Sequence, residues 1–162
     1  MGASELSALL WQERELLDVL EFRLEAEQAL LAVGKTRWIQ RASDEIASIT
    51  AQLRKLNLVR DVEVAQLADE WGIAAELPSL RQIVGAAPEL VWHDIFTAHL
   101  TALLTSVDRI STLRDANDHM LRAAIRSTQE TLIGPAEAAA TYTPRGTTAS
   151  AQPDARLIDR DA

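Results

Sequence analysis

Leucine recurs every seven residues near the start of the chain, at Leu10, Leu17, Leu24 and Leu31. No other feature constrains the fold as tightly. Seven residues are close to two turns of α-helix, so these side chains fall on one stripe. Leu6, Leu9, Leu16, Leu20 and Leu30 widen the stripe into a face. Glu13, Arg14, Glu21, Arg23, Glu25 and Glu27 fill most of the remainder and are expected in water. The pattern predicts a helix over residues 4–33, with Ser4 as its N-cap and Gly34 just past its end.

A second run follows at once. Ile39, Ala42, Ile46, Ile49, Leu53 and Leu56 alternate steps of three and four, the seam of a left-handed coiled coil. Thr36 is the candidate N-cap. The run continues through Val64 and Leu67 to Trp71, and Gly72 closes it. The short turn at Gly34 makes the two helices an antiparallel hairpin. Residues 73–87 break the rhythm. Pro78 and Pro88 bracket a connecting loop whose apolar piece at 80–84 has room for one or two helical turns before Gly85. The third helix is predicted to start with Pro88 at its first position and Glu89 beside it, and to run to Ile133, where Gly134-Pro135 stops it. Beyond lies a stretch rich in Ala, Thr, Pro, Gly and Ser without a sustained period, expected to be disordered when free. The expectation is an all-α chain: an elongated antiparallel bundle of three long helices with coiled-coil-like packing. The bundle domain covers residues 1–134 and a flexible tail covers 135–162.

Composition agrees with that class and narrows the partners. Of 162 residues, 48% are hydrophobic and only 4% aromatic, which favours helices packed on helices. The formal net charge of −8 argues against nucleic acid and against an anionic membrane surface. There is no cysteine, so thiolate metal sites, disulfides and Cys nucleophiles are excluded. No apolar run is long enough to span a membrane, and no secretory signal pattern opens the chain. The expected compartment is the cytoplasm.

One residue violates its surroundings. The third helix carries the stripe Leu103, Val107, Ile110, Leu113, Asn117, Met120 and Ala124. An amide inside such a stripe must find a partner or forfeit about 1–3 kcal/mol. It either fixes helix register or bonds a partner's backbone. Leu121, Ile125, Thr128 and Leu132 form a second face, rotated from the first, that suits either wider burial or a helix from another protein.

Signals of catalysis are sparse. No phosphate-cradling glycine loop or Gly-x-Ser-x-Gly elbow occurs. His93 and His99 are six apart and do not share a helix face, so no metal site is expected. His119-Met120-Leu121-Arg122-Ala123 resembles the phospho-accepting motif of histidine-phosphotransfer domains, with Arg122 for the usual Lys and Ala123 for the usual Gly. The methyl of Ala123 would crowd the histidine. Trp11, Trp38, Trp71 and Trp92 fall near helix ends or off the stripes and suit inter-helix packing or a binding hot spot.

Three local patterns, in order, are similar to those of the FlgN family of flagellar export chaperones. Leu53-Arg54-Lys55-Leu56, Arg60, Leu67 and Gly72 resemble the family's second helix. Leu113-Arg114-Asp115-Ala116-Asn117-Asp118-His119-Met120-Leu121 resembles its apolar residue, Asn and following apolar pair. Tyr142-Thr143-Pro144-Arg145-Gly146 resembles a tail motif. The resemblance implies a cytoplasmic chaperone, neither an enzyme nor a cofactor or metal protein. It further implies that the chaperone holds the helical C-terminal segments of hook-associated proteins, which join hook to filament. It would prevent their early assembly and deliver them to the export apparatus. Carried onto this chain, Asn117, Met120, Leu121, Ile125 and Leu132 are client-binding candidates and Tyr142 an export-gate candidate. The alternatives are a phosphotransfer bundle and a coiled-coil scaffold that self-associates. Neither nucleic-acid binding nor membrane insertion is expected.

Overall fold

A computed structural model of the chain describes residues 2–137, with side chains through residue 131. The elements are α1 (Gly2–Ala32), α2 (Thr36–Glu70), α3 (Leu80–Ala86) and α4 (Leu90–Glu137), with no strand among the described residues. Three long helices and one short one thus build an all-α fold, as the periodicity predicts. The chain divides into a unit ending at Leu121 and a second from Arg122 onward.

In the first unit, α1 and α2 form the expected hairpin. Side-chain pairs run in opposite directions along the two helices: Glu13 with Arg60, Arg23 with Glu45, and Glu27 with Ser43. The turn between them is a Schellman closure. Gly34 takes φ 67°, its N–H donates to the Leu31 carbonyl, and the N–H of Lys35 donates to the Leu30 carbonyl. The end of α2 repeats the arrangement at Gly72, φ 69°, with Ile73 donating to Ala68. Against α1, pairs on α4 rise together: Ser7 with His99, Glu21 with Arg109, and Leu24 with Asn117. Up to Leu121, α4 therefore runs parallel to α1, and α2 antiparallel to both.

The core draws Leu6, Leu10, Leu17, Leu20 and Leu24 from α1, and Ile49, Leu53, Val64 and Leu67 from α2. Ile83 of α3 and Phe96, Leu103 and Ile110 of α4 complete it. Each fully buried side chain of this size contributes about 1.5–3 kcal/mol. Phe96 is fully enclosed, with Trp92 stacked at 5.7 Å and Trp71 tilted at 6.2 Å between ring centroids. Two of the four tryptophans are thus packing residues at the bundle end where α3 joins it. Trp11 and Trp38 stay exposed under the guanidinium groups of Arg14 and Arg37.

Four helix boundaries differ from expectation, each for a local reason. Ser4 lies inside α1 and not at its cap, because Ala3 is buried and Gly2 packs beside Leu67 and Glu70 of α2, which extends the helix upstream. Thr36 is the first residue of α2. Lys35 holds its cap position, without a side-chain hydrogen bond. Pro88 lies outside α4, since the first helical bond runs from His93 N–H to the Glu89 carbonyl. Finally, α4 passes through Gly134 and Pro135 to Glu137. A proline in the last turn removes one amide donor and biases against the helix without barring it. In the connection, α3 is set by a capping box: Ser79 Oγ accepts from Gln82 N–H, and Gln82 Oε1 accepts from Ser79 N–H at 2.8 Å.

In the second unit, α4 continues with exposed side chains through residue 131. Thr128 and Thr131 bond back to the carbonyls of Ala124 and Ser127. The expectations for Tyr142 and for the tail lie outside the described residues.

Candidate functional site

Asn117 is 2% exposed, and its amide is the centre of a three-helix clasp. Nδ2 donates to the Leu24 carbonyl at 2.9 Å and to Glu27 Oε2 at 3.0 Å. Glu27, 5% exposed, accepts through its other oxygen from Ser43 Oγ at 2.6 Å. One carboxylate thus joins α1, α2 and α4. The acceptor atom of the asparagine amide, Oδ1, is buried without a partner.

A second buried carboxylate lies two helical turns past the start of the core. Glu13, 6% exposed, accepts from Arg60 Nη1 at 2.6 Å. In the amide orientation that satisfies both its ends, Asn57 also donates to Glu13 Oε1 at 3.1 Å. Glu13 Oε2 has no partner. Burial pulls the Arg60 guanidinium down, but the adjoining Glu13 and Asp61 carboxylates together outweigh that and hold its pKa above the ordinary value.

Glu13 and Glu27 correct the expectation that the charges of α1 lie in water. The signal was present. Residues 6, 10, 13, 17, 20, 24, 27 and 31 alternate steps of four and three, and the two glutamates occupy seam positions among leucines. On α4, Phe96, His99 and Leu103 place His99 in the seam in the same way. The ring is 2% exposed, with Nε2 3.2 Å from Ser7 Oγ and Trp11 edge-on at 5.2 Å. Burial lowers its pKa, and the Arg14 cation lowers it further. His93 is at the surface beside Asp94. Among the described residues no group of three or more His, Cys, Asp or Glu side chains could hold a metal ion. His119 is exposed on α4, as is Ala123.

The client-binding candidates are differently placed. Met120 and Leu121 are half-buried at the end of the first unit. Ile125, 57% exposed, belongs to the second. Leu132 is in α4, but its side chain lies outside the described residues. Asn117 is inside the bundle with both amide bonds made within the chain. Val107, expected in the apolar stripe, is 55% exposed.

Val107 is exposed and lines a hollow shared with residues of α1 and α2. α1 and α2 pack closely against each other. The central hollow, of about 640 Å³, is floored by Leu17 and Leu20 and flanked by Leu53, Arg54, Val107 and Ile110. A hollow of about 300 Å³ adjoins it through Val107 and includes Glu13, Arg60 and Leu103. Another, of about 200 Å³, adjoins through Arg114 and Asp118 and includes Leu24, Asn117 and Leu121.

Buried polar side chains here hold helices in register, and the open concavity is a trough between helices with a leucine floor and a rim that includes Arg54, Asn57, Arg114, Asp115 and Asp118. Such a molecule belongs to the class of all-α bundles with coiled-coil-like seams. The family model described as FlgN protein matches residues 1–150, nearly the whole chain, and the chain belongs to the FlgN family of flagellar export chaperones. No curated protein and no solved structure matches it. Among the described residues no helix is long and apolar enough to cross a membrane.

Proposed function

We infer that this chaperone binds the helical C-terminal segments of hook-associated proteins, those joining hook to filament. In the cytoplasm it keeps them from assembling early and delivers them to the flagellar export apparatus. The observation that carries the reading is the trough above α1, apolar in its floor and ending at Leu121. An amphipathic client segment is aggregation-prone when free. A helical surface that covers its apolar face removes that hazard. Ordering the segment costs part of the binding energy, so the complex stays releasable.

Met120 and Leu121 are the proposed client contacts of the first unit, and Ile125 and Leu132 those of the second. Asn117 fixes the helix that carries Met120 and Leu121 through its Nδ2, and its Oδ1 is the atom left for a client. Tyr142 is the proposed contact to the export gate. The test is calorimetric titration of a full-length hook-associated protein against Leu121→Asp and Ile125→Asp separately. Each should weaken binding at least about tenfold while helical circular dichroism is retained. Unchanged affinity in both would remove these residues from the site, and loss of helicity in Leu121→Asp would mark it as core.

A further inference from the structure

The trough is open along its length, and its two ends hold the least satisfied polar groups that line it. Glu13 at one end and Asn117 at the other are each more than nine-tenths buried, and each retains an acceptor, Oε2 and Oδ1, without a partner. Between them the floor is leucine at positions 17, 20 and 24, spaced as one helix face receives another. The levels of Glu13 and of the Asn117 contacts at Leu24 and Glu27 are 11 and 14 residues apart on α1, about 16–21 Å.

We propose that the trough between α2 and α4 seats one amphipathic helix of a client as a further helix of the bundle. That helix carries a Lys or Arg at the Glu13 level and a hydrogen-bond donor three to four turns away at the Asn117 level. The proposal rests on the client-binding reading and adds where the client lies and which side chains it presents. The apolar floor takes the client's apolar stripe. A carboxylate with one oxygen unbonded selects a cationic donor over a neutral one. Both acceptors are buried and bare on residues that line the trough, and a client donor that reaches them offsets the cost of leaving them so. A second copy of the chain is the poorer occupant, since it would bring its own net charge of −8 against an acidic surface.

The experiment uses full-length hook-associated protein as the probe against the full chain, with affinity read by calorimetry, fold by circular dichroism and mass by sedimentation. Ser111→Trp puts an indole into the central hollow from an exposed position. It should weaken binding by at least about tenfold with helicity and melting temperature retained. Phe22→Ser, which changes an exposed residue outside the trough, should bind as wild type does. Glu13→Gln keeps an acceptor for Arg60 and removes the charge, and should weaken binding about tenfold. Wild-type affinity in Ser111→Trp overturns the seat, and so does a wild-type dimer that this substitution dissociates. Wild-type affinity in Glu13→Gln overturns the cationic contact. A wild-type chain that binds no hook-associated protein removes the functional reading itself, a result no trough variant can mimic.

Discussion

At the scale of single residues, this bundle is held in register by polar groups inside its seams. Asn117 satisfies the helix carbonyl of Leu24 and one oxygen of Glu27. Asn117→Leu leaves that oxygen buried and bare, and thermal or urea unfolding should show a loss of about 1–3 kcal/mol. Pairing it with Glu27→Leu removes the stranded carboxylate and should recover most of the loss. His99 gives the fold a pH dependence. Its pKa is below the ordinary value when folded, so the unfolded chain takes up the proton first. The contribution is complete above the ordinary value near about 6.5 and is lost as pH falls from there through the folded pKa. Melting temperature should drop over that window, and His99→Phe should flatten this part of the drop. Asn117 was legible as a buried amide because one polar residue interrupts an apolar stripe. Glu13, Glu27 and His99 were legible only as seam positions, and their partners Arg60, Ser43 and Ser7 were not, because these come from other helices at separations no local spacing reveals.

At the scale of elements, both long-helix ends after α1 and α2 depend on glycines in the left-handed region. A Cβ at Gly34 would meet nothing within 4 Å, so the cost of Gly34→Ala is purely conformational. It should be about 1 kcal/mol by denaturant unfolding, with the hairpin otherwise intact. The capping box at Ser79 makes a parallel case: Ser79→Ala should cost about 1 kcal/mol, and hydrogen exchange should quicken in α3 ahead of the other helices. The three long helices and the two glycine closures were legible because they are local, set by apolar period and backbone freedom. The starts of α1 and α4 were not. Packing of Gly2 and Ala3 on α2, and the bond from His93 to Glu89, override the preferences of Ser4 and Pro88.

At the scale of the whole molecule, α1 is the shared helix, bonded through side chains to α2 and to α4. Val107, on a stripe that reads as core, is exposed and lines the trough. Periodicity shows which face of a helix is apolar, but not whether a neighbouring helix covers it. The family follows from most of the chain, and the proposed client surface is the trough with the residues at its end. The most direct measurement is calorimetric titration of the chaperone with a hook-associated protein, full-length and with its C-terminal helical segment removed. The account predicts saturable one-to-one binding of the full-length protein and none of the truncated one. Equal binding of both, or of neither, would contradict it.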